Sequence, residues 1–174
     1  GALAELPSEL KEFGPCGLIV HGLSFEKNGG KESLQKNLGN AGLKPVFFCR
    51  PQGLSEQSGA SLADPQAGRG HGAMNAREAT LDEISAVITE GRKVKASWIV
   101  GIGGGSALDL AKAAAGLFNA SHPPAYYQEG GALGEQGVPF IAVPTTAGSG
   151  SEATANAVII NSEKKLKLSI RDRS

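Results

Sequence analysis

Four short apolar runs recur along the chain without the alternating polar positions of a half-exposed strand. They cover residues 17–22, 45–49, 98–102 and 139–143. Between them, residues 30–40 are rich in helix-forming side chains, residues 80–93 carry one apolar face at helical spacing, and residues 106–118 are small and apolar. Thr80 and Glu83 have the spacing of a capping box at the start of the second helix. Buried strands that alternate with helices predict a parallel sheet covered on both faces, which is an α/β architecture.

The last part of the chain has a different pattern. Two apolar runs, residues 157–160 and 166–170, are joined by a polar stretch, which is typical of a β-hairpin. Residues 51–78 are rich in Gly, Ala, Ser and Gln without periodicity, and they far exceed the usual connection of about 2–6 residues. We therefore predict one domain over residues 1–174, with a hairpin near its C-terminus and a long mobile surface loop at 51–78.

The charge balance excludes some classes of partner. Seventeen basic residues offset 17 acidic ones, so the chain has no net positive charge that would attract a polyanion or an anionic membrane surface. No apolar run approaches the roughly 20 residues that cross a bilayer. We expect neither a nucleic acid nor a membrane as the main partner.

The cysteines and the N-terminus bear on the location of the protein. Cys16 and Cys49 lie in or beside predicted strands, where small buried free thiols are expected rather than a disulfide. No export signal precedes them, so a cytoplasmic location is expected. Because Gly1 stands where a natural chain begins with methionine, we expect the natural protein to be longer.

A glycine-rich turn gives the first indication of chemistry. Gly103, Gly104, Gly105 and Ser106 follow a predicted strand and open a predicted helix, so backbone N–H groups and the positive end of the helix would face an incoming phosphate. The alternative is a tight structural turn capped by Ser106, with Asp109 completing a capping box. The local sequence favours the phosphate site without excluding the turn.

Two further polar features lie close to this turn in the predicted fold. Asp109 and Lys112 interrupt the apolar helix, either as a weak intrahelical pair or with Asp109 accepting from a ribose or amide group. Thr145, Thr146 and Ser149 follow another strand directly, at the edge where parallel sheets bind ligands, although a Ser/Thr-rich turn explains them equally well.

The sequence offers little support for other catalytic classes. His21, His71 and His122 have no ligand-type companion at helical spacing, so we predict no metal site within this chain. No nucleophile elbow or Cys–His motif is present, and hydrolase chemistry has no positive support.

Two motifs together resemble the iron-containing alcohol dehydrogenase family. They are the glycine turn with its Asp109 and Lys112, and the Pro-Thr-Thr-Ala-Gly-Ser-Gly-Ser-Glu run at residues 144–152. The resemblance covers residues 17–170 and corresponds to the N-terminal, cofactor-binding half of such an enzyme. It implies a Rossmann-like parallel sheet flanked by helices, and hydride transfer between an alcohol or aldehyde and NAD(P).

The resemblance also implies roles for individual residues. Gly104, Gly105 and Ser106 would hold the cofactor pyrophosphate, with Gly103 in the same turn and Asp109 near the nicotinamide side. The residues that would line or close over the rest of the cofactor are Thr145, Thr146, Ser149, Val158 and Lys167. Gly22 and Ser24 stand where NAD-using members often carry an aspartate, so NADP is expected to bind at least as well as NAD.

Family members bind iron, or sometimes zinc, through one aspartate and three histidines on a helical second domain, which is absent from these 174 residues. We therefore expect the isolated chain to bind cofactor weakly and to lack turnover. The expected partners are an alcohol or aldehyde substrate, the missing C-terminal metal domain and a second copy in a homodimer. A relative of the dehydroquinate synthase or glycerol dehydrogenase type and a stand-alone nucleotide-binding module are alternatives, the latter disfavoured by the exposed edge of an unpaired hairpin.

Overall fold

A four-stranded parallel sheet forms the centre of the computed structural model, which describes residues 2–50 and 78–171. In chain order the strands are β1 (Cys16–His21), β2 (Lys44–Cys49), β3 (Ala79–Thr80), β4 (Ile99–Gly103), β5 (Phe140–Pro144), β6 (Asn156–Asn161) and β7 (Leu166–Arg171). The central sheet has the order β2-β1-β4-β5, and each neighbouring pair is parallel. All four strands therefore end at the same edge.

Helices cover both faces of this sheet. They are α1 (Ala2–Lys11), α2 (Leu23–Lys27), α3 (Gly30–Asn40), α4 (Leu81–Lys93), α5 (Gly105–Gly116) and α6 (Pro124–Gln128). Side chains alternate along β1, so Leu18 packs into the core with α4 and α5, while Ile19 packs into the core with α1 and α3. Because both faces of the strand are buried, the strands carry no polar alternation. The predicted Rossmann-like α/β fold is confirmed.

The second sheet has three strands, in the order β3-β6-β7. The predicted hairpin is present, since β6 and β7 pair antiparallel. The hairpin is not unpaired, because β3 pairs parallel with β6 through Ala79 opposite Ile159 and Thr80 opposite Ile160. Among the described residues β7 remains the edge strand of this sheet. Thr80 also caps α4: its Oγ1 accepts from the Glu83 N–H at 3.2 Å and its own N–H donates to Glu83 Oε2 at 2.8 Å. The predicted capping box is confirmed.

Several boundaries and short elements differ from the sequence predictions. Helices α1, α2 and α6 and a 3₁₀ turn at Ser151–Ala153 were not predicted, and α5 runs over Gly105–Gly116 rather than 106–118. Apart from α1, these differences involve short segments or helix ends, where local propensity is weak and tertiary packing determines the structure. The predicted mobile loop lies outside the described residues apart from Glu78.

The two cysteines are free and half-buried rather than fully buried. The pairing of β1 with β2 sets Cys16 opposite Lys44 and Cys49 opposite His21, so the thiols lie near opposite ends of the strand pair. No helix in the described part of the chain is long and apolar enough to cross a membrane.

Candidate cofactor-binding site

The sheet changes its winding direction between β1 and β4. From β1 the chain proceeds to β2 on one side, whereas from β4 it proceeds to β5 on the other. The loops that follow β1 and β4 therefore diverge and leave a crevice, the place where open α/β sheets bind ligands. The two strand ends are in contact there, since the Gly22 N–H donates to the Ile102 carbonyl at 3.4 Å.

The glycine turn lies at this crevice and requires glycine for steric reasons. Gly103 has φ of +154°, and a methyl group added there would lie 2.8 Å from Cβ of Ala107. Gly104 is the N-cap of α5, and no side chain among the described residues caps the helix. The predicted alternative of a Ser106 cap completed by Asp109 is wrong, because α5 begins at Gly105 and its N-cap is Gly104, two positions before Ser106. The first helical N–H groups, at Gly105 and Ser106, precede the intrahelical ladder and can face an anion.

The hydroxyl-rich loop after β5 packs directly against the glycine turn. The Thr145 N–H donates to the Gly103 carbonyl at 2.9 Å. A methyl group added at Gly104 would lie 3.1 Å from Oγ1 of Thr146, and one added at Gly105 would lie 2.8 Å from Cβ of Ser149. The side chains of this loop are exposed. The structure thus brings together the two motifs that the sequence singled out separately.

Asp109 connects α5 to the hairpin. Its side chain is almost fully buried, Oδ2 accepts from the Val158 N–H at 3.3 Å, and Oδ1 lies 3.6 Å from Nζ of Lys112. Burial raises the pKa of the Asp109 carboxyl above its ordinary value, while the Val158 N–H and the Lys112 ammonium act in the opposite direction. Asp109 and Val158, which the resemblance placed around the nicotinamide, are therefore direct neighbours.

Lys112 has a larger structural role than a weak pair with Asp109. Its ammonium donates to the carbonyls of Ser151 at 2.5 Å, Thr154 at 2.9 Å and Asn156 at 2.9 Å. These three bonds attach the segment after the hydroxyl-rich loop to the middle of α5. The sequence could not show this role, because the acceptors are backbone carbonyls some 40 positions away, and backbone acceptors have no sequence signature.

Of the remaining candidate residues, Gly22 lies beside the glycine turn, since its backbone nitrogen would be 3.8 Å from a methyl group added at Gly103. Gly22 is the N-cap of α2, and a methyl group added there would meet nothing within 4 Å. Ser24 is exposed in the first turn of the same helix. Lys167 lies on β7, where its ammonium donates to Oε1 of Glu78 at 2.5 Å. Its contact with a cofactor stays a prediction.

The structure also gathers three side chains that the sequence did not connect. A ring nitrogen of His21, a carboxylate oxygen of Glu26 and the sulfur of Cys49 all lie within 4.8 Å of one another. Helical spacing of the histidines predicts no metal site, whereas this cluster depends on the register of β1 with β2.

Comparisons with known proteins agree with this architecture. The model of the family described as iron-containing alcohol dehydrogenase matches residues 71–174. The NAD-dependent methanol dehydrogenase of Bacillus methanolicus is 32% identical over 174 residues, covering 99% of this chain and 39% of that protein. The sulfoacetaldehyde reductase of Bilophila wadsworthia is 27% identical over 164 residues, covering 94% of this chain and 36% of that protein.

Solved structures show the same fold. NADH-dependent butanol dehydrogenase A of Thermotoga maritima superposes with a TM-score of 0.76 at 23% identity, covering 99% of this chain and 38% of that one. Sulfoacetaldehyde reductase of Bifidobacterium kashiwanohense, in complex with NAD+, gives a TM-score of 0.73 at 25% identity, covering 99% and 40%. The chain therefore spans about two fifths of the length of these relatives.

Proposed function

This chain belongs to the iron-containing alcohol dehydrogenase family, and on that premise we propose that it is the cofactor-binding part of an NAD(P)-dependent oxidoreductase that interconverts an alcohol and an aldehyde or ketone. The observation that carries the proposal is the meeting of the glycine turn with the hydroxyl-rich loop at the crevice between β1 and β4. Relatives that act on methanol and sulfoacetaldehyde support the substrate class.

The glycine turn fits a dinucleotide pyrophosphate. Side chains at Gly103, Gly104 or Gly105 would fill the space between the turn and its neighbours, so their absence leaves the backbone accessible. The N–H groups of Gly105 and Ser106 would donate to the phosphate oxygens, in the field of the α5 N-terminus. The hydroxyls of Thr145, Thr146 and Ser149 would donate from the opposite side.

When bound, the nicotinamide cofactor accepts or delivers the hydride. Residues of this chain would orient its reactive ring. Asp109 accepts from the Val158 N–H, which fixes the carboxylate so that its other oxygen can accept from the carboxamide or the adjoining ribose. Lys167 would approach the same ribose from the hairpin.

The surroundings of Gly22 favour acceptance of NADP. A carboxylate at this position would accept from the ribose hydroxyls of NAD and repel a 2′-phosphate, whereas glycine leaves space without charge. Ser24, exposed in the first turn of α2, would donate to the phosphate. We therefore propose that NADP binds at least as well as NAD.

The described residues do not fit the iron that gives the family its name. Among residues 2–50 and 78–171, the one cluster of three or more ligand-type side chains holds a single histidine, a glutamate and a cysteine. The proposal places the ligands of the iron in the part of the relatives that this chain does not span, so these 174 residues alone should bind cofactor weakly and lack turnover.

The proposal extends to location and assembly. Two free cysteines agree with a reducing compartment, so we place the protein in the cytoplasm. A homodimer and a metal-binding C-terminal domain are the proposed protein partners.

Nucleotide titration tests the cofactor proposal. Trp98 is the only tryptophan, and it lies at the amino end of β4, about 16 Å along the strand from Gly103 at roughly 3.3 Å per residue. Energy transfer from its indole to a bound reduced nicotinamide would report binding. We expect saturable binding of NADPH at least as tight as that of NADH, and no saturable binding of either would refute the proposal.

Gly22→Asp tests whether the residue at this position sets the preference between NADPH and NADH, as distinct from a general effect on folding. A carboxylate near the 2′-phosphate would oppose it by a few kcal/mol at an effective dielectric constant of about 20, so NADPH should bind at least tenfold more weakly while NADH is retained. Gly39→Asp is the matched control, since it adds the same charge at another position where a methyl group meets nothing within 4 Å. Equal losses for both nucleotides in Gly22→Asp would contradict the specificity argument.

A further inference from the structure

A histidine, a cysteine and a glutamate meet at the carboxyl ends of β1 and β2. His21 is the last residue of β1 and Cys49 the last of β2, and the strand register pairs them directly. Residues paired across neighbouring strands project from the same face about 5 Å apart. Helix α2 starts immediately after β1 and brings Glu26 back over them, so that one ligand-type atom from each lies within 4.8 Å of the others.

The environment of His21 supplies a second, independent observation. Its side chain is fully buried, and Nδ1 lies 3.1 Å from the Gly22 carbonyl, which can only accept a hydrogen bond. In the neutral imidazole, the tautomer that satisfies this contact carries its proton on Nδ1 and leaves the lone pair on Nε2. Nε2 is buried and has no hydrogen-bond partner among the residues the structure describes. A buried acceptor without a partner requires an explanation, and a ligand is one.

The orientation of the His21 ring agrees with metal ligation. Histidines that bind metals usually donate their other ring N–H to a backbone carbonyl or carboxylate, as Nδ1 does here with Gly22. The rings of Phe25 and Phe47 lie 5.5 and 5.9 Å from the imidazole, between centroids, and restrict its rotation. The ring is therefore held with one lone pair free before any ion arrives.

We propose that His21 Nε2, Glu26 and Cys49 bind one Zn²⁺ ion, with a water molecule in the fourth position. Imidazole, thiolate and carboxylate are the ligand set of zinc, a borderline-soft ion, and not of magnesium or calcium, which prefer oxygen. Zinc bonds of about 2.0–2.3 Å in a tetrahedron place ligand atoms roughly 3.5 Å apart, so atoms that now lie within 4.8 Å of one another must approach by at most about 1.3 Å. Glu26, partly exposed on a five-residue helix, is the member best able to move.

Two existing contacts adjust when the ion binds. The Cys49 thiol donates to the Arg50 carbonyl at 3.8 Å, and on binding it would lose its proton to solvent as the sulfur ligates the ion. The Lys31 ammonium lies 2.8 Å from Oε1 of Glu26, and a carboxylate has two oxygens, so it can serve the lysine and the ion together. The site does not depend on the proposed cofactor function.

Titration of the metal-free chain with Zn²⁺ and Co²⁺ tests the site. We expect one equivalent of either ion to bind, and the cobalt complex to show a sulfur-to-metal charge-transfer band with the intense visible absorption of tetrahedral coordination. Cys49→Ser replaces a single atom at a half-buried position and should preserve the fold, which far-ultraviolet circular dichroism would verify. It should abolish the charge-transfer band.

The expected loss of zinc affinity in Cys49→Ser is at least about 100-fold, because removal of outer-shell partners alone costs about 10–100-fold. Cys16→Ser is the matched control, since Cys16 is the other free, half-buried cysteine and lies at the opposite end of β1. It should leave both the band and the affinity unchanged. Zinc binding by Cys49→Ser with wild-type affinity, or a charge-transfer band lost in Cys16→Ser instead, would overturn the proposal.

Discussion

Gly105→Ala is a direct test of the contact between the glycine turn and the hydroxyl-rich loop. The added methyl group would lie 2.8 Å from Cβ of Ser149, closer than two carbon atoms pack, so Ser149 must move away from α5. Forcing a methyl group into a packed contact costs about 1–3 kcal/mol, whereas alanine in place of glycine in a helix gains about 0.8–1.0 kcal/mol. The net loss of unfolding free energy should therefore be about 0–2 kcal/mol.

The loss of cofactor affinity should be larger than the loss of stability. Displacing Ser149 removes a hydrogen bond to a charged phosphate, worth about 1.5–3 kcal/mol, which corresponds to roughly 10- to 150-fold weaker binding. Urea unfolding and nucleotide titration of the same preparations would measure the two quantities separately.

Gly116→Ala supplies the control for that experiment. It makes the same substitution at the other end of α5, where an added methyl group meets nothing within 4 Å. It should stabilise the protein by up to about 1 kcal/mol and leave cofactor affinity unchanged. The steric reasoning would be refuted by a Gly105→Ala protein that binds NADPH as tightly as the Gly116→Ala protein does.

Three further substitutions test the surroundings of the site by urea unfolding. Burial raises the pKa of the Asp109 carboxyl above 3.8, so the folded state holds the carboxyl proton more tightly than the unfolded state does, and the free energy of unfolding should fall as the pH rises above 3.8. Asp109→Asn should remove this decline, and a variant with the same pH profile as the wild type would contradict the prediction. Lys112→Met should lose roughly 3 kcal/mol through its three carbonyl contacts, and an unchanged urea midpoint would disprove that role. Glu83→Ala should lose about 3 kcal/mol, because it removes a buried carboxylate that accepts from both Arg50 and the Thr80 N–H. Glu90→Ala, from an exposed pair on the same helix, should lose less than about 1 kcal/mol, and equal losses would argue against the burial effect.

The sequence predicted the features that follow from local periodicity. The apolar strands, the capping box at Thr80 and the glycine turn each depend on residues within a few positions of one another, so pattern and propensity suffice. The hairpin was predicted for the same reason. The strand that pairs with β6 of the hairpin could not be predicted, because the two residues of β3, Ala79–Thr80, are too few to show a periodicity.

Features that depend on strand register could not be predicted in this way. The meeting of Gly105 with Ser149 was expected only in outline, since parallel strands end at a common edge, but the contact itself depends on how the loop after β5 folds back. The pairing of His21 with Cys49 requires the alignment of β1 with β2, which a one-residue shift would abolish by turning one side chain to the other face.

The hydroxyl-rich loop is held from two sides, and the two attachments should have different consequences. On the sheet side, the Thr145 N–H bonds to the Gly103 carbonyl, which joins the loop to the glycine turn itself. On the helix side, Lys112 holds the segment that begins at Ser151, after the proposed cofactor contacts. Loss of Lys112 leaves the sheet-side attachment intact, so Lys112→Met should reduce stability more than Gly105→Ala but cofactor affinity less. The reverse ranking would mean that the helix-side attachment, rather than the glycine turn, sets the position of the loop against the cofactor.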